Sequence, residues 1–201
     1  MDPLALLIAA ALAAFTLKTI DQRRRIALLG THLQHFSLEK QMETLSDGYL
    51  RALGTDDPER RAQVWALMAR TEHALSDQLT RLAREMAGLD ADAVQVSKLP
   101  IAFPYADRVL PGTAFDLRAA LDIHARGIAC AIADDPARDA RAKAFTVLAE
   151  MYLFQHTCHW FCRSKAVASA RLMARHKTAY AQVLAAVTPD TRRAYRALVG
   201  A

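Results

Sequence analysis

The sequence is poor in the residues that interrupt helices. Only seven glycines and seven prolines occur among 201 residues, of which 53% are hydrophobic, many of them alanine or leucine. Because alanine and leucine lose little free energy on entering a helix, this composition favours helices over sheets. The length is enough to bury one sizeable core. We therefore predict an all-α protein with a single folded domain.

Several motifs of common enzymes and cofactor-binding proteins are absent from the chain. The sequence contains no glycine-rich phosphate loop, no Gly-x-Ser-x-Gly turn and no His-Glu-x-x-His pair. Glu72 and Glu150 each lack a histidine three residues on, so they do not form the Glu-x-x-His pattern of di-iron helical bundles. We predict no cofactor and no ordinary enzymatic activity.

Cysteine is also scarce. The three cysteines, Cys130, Cys158 and Cys162, are an odd number, and no positive charge precedes the N-terminal apolar run as it would in a secretory signal peptide. This pattern is typical of reduced thiols in the cytoplasm rather than of a disulfide framework.

The most distinctive segment is the apolar run at residues 3–20, PLALLIAAALAAFTLKTI, which has one charge, at Lys18. Eighteen helical residues span about 27 Å, close to the thickness of a hydrocarbon core. We predict a transmembrane anchor at residues 1–22. The alternatives are a signal peptide, which only Asp2 precedes here, and an alanine-rich helix that is buried or forms a dimer in a soluble protein.

Basic residues follow the apolar run, at Lys18, Arg23, Arg24 and Arg25. The positive-inside rule then places the N-terminus outside and residues 23–201 in the cytoplasm. We predict a single-pass protein of the inner (cytoplasmic) membrane.

Helical periodicity divides the remainder into about four long antiparallel helices and a short C-terminal helix. The predicted helices cover residues 23–53, 58–87, 113–134, 137–187 and 189–199. Between the second and third, residues 88–112 form a predicted long loop with three prolines, which either packs on the flank of the bundle or binds a partner. Its apolar side chains are Ile101, Phe103, Tyr105, Val109 and Leu110.

One segment with the residue types of a metal site runs from His156 to Cys162. Imidazole and thiolate are common ligands of zinc, iron and copper, and His159 and Cys162 share a helix face. One helix cannot complete a tetrahedral site, so His124 or Cys130 of the third helix would have to contribute. This predicts a membrane-bound metal, haem or redox sensor as one possible function. The alternative interpretation is that these side chains belong to the core.

Charge is concentrated in the C-terminal third. From Trp160 onward, eight Lys and Arg residues face one Asp, a net charge of +7, whereas the preceding residues carry −2. Such a segment could regulate a process at an anionic lipid surface, bind an acidic partner, or simply be a solvated face. Nucleic acid is not expected, because no aromatic residues alternate with the basic ones on a reading motif.

Weighing these features, we expect a membrane-anchored helical interaction or scaffold protein without catalytic activity. Its expected partners are the membrane and another protein.

Overall fold

A computed structural model describes residues 2–99, 112–135 and 138–200, and most of these residues are helical. The helices in these ranges are α1 (Pro3–Leu33), α2 (Leu38–Leu53), α3 (Pro58–Ala87), α4 (Leu117–Ile132), α5 (Ala140–Cys162), α6 (Lys165–His176), α7 (Tyr180–Ala186) and α8 (Pro189–Val199). A 3-10 turn, Ala91–Val94, precedes β1 (Gln95–Ser97), which pairs with β2 (Ala114–Asp116). The prediction of an all-α protein with an N-terminal apolar helix is confirmed.

The first helix, α1, has two unlike halves. It begins where the Asp2 side chain accepts a hydrogen bond from the Leu4 amide, and residues 2–17 are all exposed. Farther along, Leu29 is buried against the body. By length and composition α1 could cross a membrane, a property that it shares with signal sequences. The boundary predicted at residue 22 falls inside this continuous helix.

Two hydrogen bonds fasten the second half of α1 to the body. Arg25 Nη1 donates to the carbonyl oxygen of Gln95 at 2.5 Å, next to the start of β1. Arg163, just after α5, donates to Gln22 Oε1 at 2.5 Å. Since Gln22 and Arg25 lie near the middle of α1, the exposed half of the helix projects directly from these contacts.

The predicted continuation of the first helix to residue 53 is wrong. α1 ends at Leu33 and α2 begins at Leu38. The Ser37 amide donates to Gln78 Oε1 of α3 at 2.8 Å, which anchors the turn between the two helices. A straight helix would carry the apolar stripe of residues 38–52 away from the core, and the turn buries it against α3 instead. Tertiary packing thus overrides an uninterrupted helical pattern.

The second predicted helix is confirmed as α3. Asp57 Oδ1 accepts hydrogen bonds from the amides of Glu59 and Arg60, Pro58 occupies the first turn, and the helix ends before Gly88. These are the capping residues expected from the sequence.

The predicted loop at 88–112 contains regular structure that the sequence did not indicate. β1 and β2 pair antiparallel, with Val96 opposite Phe115, and both side chains are buried. Asp116 caps the next helix by accepting from the Arg118 amide, so that helix begins at Leu117 rather than at the predicted residue 113. Residues 100–111, with the apolar side chains named above, lie outside the described residues.

The predicted long helix from 137 to 187 is also wrong, because the chain turns twice to form α5, α6 and α7. Arg163 leaves the helical region at φ −136° and ψ −86°, and Ser164 Oγ accepts from the Val167 amide to cap α6. Lys177 adopts a left-handed conformation at φ 53° and ends α6. These turns fold α6 back so that Ala168 and Leu172 are buried.

Helix α5 lies at the centre of the fold and packs against α1, α2, α4, α6, α7 and β1. Its C-terminal end reaches the level of Gln22, while Lys143 near its N-terminal end pairs with buried Glu72 of α3 at 2.7 Å. Side chains on one side of α5 contact α4 and α8, and side chains on another side contact α6.

Candidate functional site

The predicted His/Cys segment forms the last two turns of α5, and its side chains have different neighbours. His124 Nε2 lies 2.8 Å from Thr157 Oγ1, whereas His156 Nε2 lies 3.1 Å from Ser169 Oγ. Both histidines are buried, while His159 and Cys162 are partly exposed. Among the described residues, no group of three or more His, Cys, Asp or Glu side chains is arranged to hold a metal ion. The metal site stays a prediction.

On the α4 side, a buried hydrogen-bond network joins three helices. Thr157 Oγ1 donates to the Leu153 carbonyl at 3.0 Å, so it accepts from His124 Nε2–H and from the Tyr195 hydroxyl, each at 2.8 Å. This arrangement uses the neutral imidazole, and burial lowers the pKa of His124 to about 3. The network thus holds α4, α5 and α8 together with an uncharged histidine.

Two turns earlier on α5, Glu150 is also buried among polar groups. Its Oε1 accepts from the Thr188 amide at 2.9 Å and lies 3.0 Å from the Thr188 hydroxyl, and burial raises the pKa of Glu150. Gly127 of α4 passes so close that a Cβ there would lie 2.5 Å from Glu150 Oε2 and 2.3 Å from Thr191 Oγ1. A methyl group at this crossing would therefore force the side chains of Glu150 and Thr191 to move.

On the α6 side, a cavity of about 430 Å³ lies between α5 and α6. Three imidazoles, two guanidinium groups and one amide contribute to its lining, and no carboxylate of the described residues does. The residues around it are Gln155, His156, His159, Arg171, Leu172, Ala174, Arg175 and His176. This cavity is a concentration of hydrogen-bond donors and positive charge.

Aromatic contacts hold His156, one of the residues that line this cavity. Its ring stacks on Tyr180 with centroids 4.5 Å apart and meets the edge of Trp160 at 5.8 Å. Lys165 Nζ lies 5.0 Å from the Trp160 ring and 5.1 Å from the Tyr180 ring. Nδ1 of His156 has no hydrogen-bond partner among the described residues.

Two contacts hold His176, which also lines the cavity. Its Nε2 lies 3.0 Å from Gln155 Oε1, and its ring stacks on Tyr152 with centroids 3.8 Å apart. Like His156, His176 is thus held by ring stacking and a hydrogen bond.

The electrostatics of the cavity disfavour protonated histidine. The pKa of His159 is lowered by burial and then by the charges of Arg171 and Arg175. Burial, followed by the charges of Lys165 and His159, lowers the pKa of His156 to about 3. The imidazoles are therefore neutral beside two permanent cations.

An adjoining cleft of about 410 Å³ shares Gln155, His159 and Arg175 with the cavity. It opens between α1, α2 and α5, and its apolar side chains are Leu33, Phe36, Leu38, Met42, Phe154 and Cys158. Arg175 Nη1 lies 3.8 Å from Glu39 Oε1 across the mouth of this cleft. His159 consequently borders two hollows, one basic and one largely apolar.

The cysteines in this region are not activated. Burial raises the pKa of the Cys158 thiol and raises that of Cys162 to about 11. Cys130, Cys158 and Cys162 are all free. Because the thiolate is the reactive form, burial favours inert thiols at Cys158 and Cys162 at neutral pH.

Sequence reasoning identified His156 and His159 but not Arg171 or Arg175, which lie on one face of α6. Their spacing of four residues was the available signal. Without the turn at Ser164 they would extend along the same helix and never face His159.

Comparisons with models of known protein families, with curated proteins and with solved structures found no match for this chain.

Proposed function

We propose that this protein is a membrane-anchored helical interaction protein without catalytic activity. Residues 1–22 anchor it in the cytoplasmic membrane, with the N-terminus outside and the body in the cytoplasm. The observation that carries this proposal is the exposed first half of α1. Large apolar side chains there are 44–69% exposed: Leu4, Leu6, Leu7, Ile8, Leu12, Phe15, Leu17 and Ile20. Burying each such side chain contributes about 1.5–3 kcal/mol, and a lipid bilayer offers that burial.

The contacts of the second half of α1 support an anchor over a removable signal sequence. Gln22, Arg25 and Leu29 belong to the folded body, and the helix runs without a break from them into the apolar run. The basic residues that follow the run favour a cytoplasmic body.

Cell fractionation and intact mass test the anchor together. We expect the full-length chain to resist alkaline extraction from membranes, and a C-terminal fluorescent fusion to fold in the cytoplasm. A mature chain that lacks about twenty N-terminal residues would identify a signal sequence and overturn the proposal. Full-length protein in the soluble fraction without detergent would also overturn it.

The interaction role is supported by large apolar side chains on the surface of the body. Leu50 of α2, Leu67 of α3 and Phe145 of α5 are 50–65% exposed. A capture experiment from solubilised membranes with a Leu50→Ser, Leu67→Ser variant tests this surface, with Val167→Ser as the control. We expect the variant, but not the control, to lose its partner. Identical partners for all three chains would contradict the role of this surface.

A second candidate function, binding to an anionic lipid surface, is supported by the way α1 docks. Arg163 contacts Gln22, Lys165 begins α6 next to it, and Lys98 follows the strand that Arg25 reaches. These basic residues lie at the end of the body from which the apolar run projects. Each contributes about 1 kcal/mol near anionic lipid. The rest of the basic C-terminal third lies elsewhere, on α6 and α8.

Nanodiscs with and without anionic lipid test this second candidate. We expect protection of Lys98 from amine labelling only in the anionic discs, and loss of that protection at high salt. Labelling that is the same in both discs would contradict it.

A further inference from the structure

We propose that the cavity between α5 and α6 binds the phosphoryl group of a small soluble ligand. The inference concerns a site within the body and does not depend on the membrane anchor. It rests on the lining described above, to which Arg171, Arg175, His156, His159 and His176 contribute and in which no carboxylate of the described residues takes part.

The two guanidinium groups are available to a ligand. Among the described residues, no carboxylate oxygen lies within ion-pair distance of Arg171, and Arg175 has only the 3.8 Å contact with Glu39. Both partners of that contact are largely exposed, at 54% and 82% of their side chains, so the pair contributes little. A guanidinium group forms paired hydrogen bonds with phosphoryl oxygens, which makes arginine a usual residue in phosphate sites.

The histidines add donors that a cation would not use. The imidazole of His159, which is partly exposed and lines the cavity, can donate a hydrogen bond to a ligand oxygen. Two arginines beside the imidazoles repel a metal ion but attract an anion. A phosphoryl group, with three oxygens and up to two negative charges, matches this set of donors better than a carboxylate does.

The size and position of the cavity favour a small soluble ligand. A volume of about 430 Å³ lies in the usual range for sites of small molecules. His159 and Arg175 also border the cleft, which residues 30–34 at the end of α1 help to form. Along the helix axis these residues lie about 10–15 Å from Arg23 and Arg24. A lipid headgroup at the level of those arginines would not reach the cavity.

Titration calorimetry of the full-length chain, in neutral detergent, with inorganic phosphate tests the proposal. We expect saturable binding at one site. An Arg171→Gln, Arg175→Gln variant should bind phosphate at least tenfold more weakly, because it loses charge-assisted hydrogen bonds, which are stronger than neutral ones. The matched control is Arg60→Gln, Arg70→Gln on α3, which removes the same charge from exposed positions; it should bind phosphate as the wild type does.

Three results would overturn the proposal. These are no saturable phosphate binding, equal weakening in the variant and the control, and binding of acetate or succinate as tight as that of phosphate. Unchanged thermal unfolding of the variants shows that the fold is intact. Nanodiscs containing phosphatidic acid separate the two sources of phosphate: we expect the same affinity as in phosphatidylcholine discs, and competition by the lipid would overturn a soluble ligand.

The pH dependence of sulfate binding provides a second readout, since sulfate keeps its charge between pH 6 and 8. A bound anion favours protonated His159, which faces Arg171, Arg175 and His176 of α6 and Glu39 of α2. We expect affinity for sulfate to rise roughly fivefold between pH 8 and pH 6. His159→Gln should remove this rise, and a rise that persists in the variant would contradict the role of His159.

Discussion

Two sides of one helix, α5, carry buried histidine contacts of opposite character. Toward α4 and α8, the hydroxyl of Thr157 receives hydrogen bonds from His124 and Tyr195. Toward α6, His156 and His159 line a cavity together with two arginines. Burial lowers the pKa of His124 and His156 alike, to about 3. Burial and histidine therefore do not distinguish a structural contact from a candidate binding site. A structural contact and a candidate binding site differ instead in the balance of donors, acceptors and charge around each histidine.

The largest expected effect is the loss of stability in acid. Because the folded-state pKa values of His124 and His156 lie below 6.5, unfolding takes up protons and stability falls as the pH drops from about 6.5 toward 3. Each histidine contributes a loss of about 1.4 kcal/mol per pH unit in this window. Glu150, whose pKa is raised, acts in the opposite direction and offsets part of it.

Thermal unfolding of the full chain between pH 7 and pH 5 measures this effect. His124→Gln, which keeps a donor for Thr157, should reduce the slope by the share of one histidine. His73→Gln, an exposed position, should leave it unchanged. Equal slopes for wild type and His124→Gln would show that His124 does not resist protonation.

A mutation at Thr157 tests the satisfied side of α5. Thr157→Val leaves His124 Nε2–H and the Tyr195 hydroxyl buried without an acceptor, and we expect it to destabilise the protein by about 2–3 kcal/mol. Thr157→Ser retains the hydroxyl and should cost less than half as much. Chemical denaturation of the detergent-solubilised chain measures both. Similar losses for the two variants would show that packing, not the network, stabilises this side.

A pair of glycines tests how closely α4 and α5 approach each other. Gly127→Ala would place a methyl group against Glu150 and Thr191, and we expect a loss of about 1–3 kcal/mol. Gly30→Ala in α1 meets no atom within 4 Å, so it should gain about 0.5–1 kcal/mol from helix propensity. Midpoints of thermal unfolding that shift in the same direction would contradict the crossing geometry.

On the cavity side, a lost hydrogen bond should cost less than on the α4 side. Ser169→Ala removes the contact with His156 Nε2, but Ser169 is only half-buried and water can replace it. We expect a loss of about 1 kcal/mol or less in chemical denaturation. A loss as large as that of Thr157→Val would mean that the two sides of α5 are energetically alike.

The smallest expected effect concerns metal. The rival sensor hypothesis predicts stoichiometric metal in the purified chain that is lost in a His159→Ala, Cys162→Ala variant. Since two arginines beside His159 disfavour a cation, we expect trace metal that is equal in wild type and variant. Elemental analysis by mass spectrometry measures the metal content of both chains. A stoichiometric metal that is lost in the variant would favour the sensor hypothesis over the interaction protein.

The sequence predicted the fold class, the apolar helix and the limits of α3, because these depend on local composition and capping. Asp57 and Pro58 are such local signals. It did not predict the turns after Leu33 and Cys162, which carry no glycine or proline. Those turns form because the apolar faces of α2 and α6 find partners elsewhere in the fold. The pairing of β1 with β2 joins segments that are distant in the sequence, so no local pattern reveals it.

The site was predictable in part. His156 and His159 were found because histidine and cysteine cluster in the sequence, but the pattern indicated metal rather than an anion. The missing information was the position of Arg171 and Arg175 opposite them, which follows only from the reversal of the chain at Ser164.

The unbroken passage of α1 from its docked half to its projecting half has a consequence for encounters. No flexible linker separates the two, so a surface that held the projecting arm would fix the orientation of the body as well as its distance from that surface. Molecules held in this way would diffuse in two dimensions and would meet one another in the same fixed orientation. Their effective concentration would exceed that of bodies on slack tethers, and even a weak contact between them would then suffice.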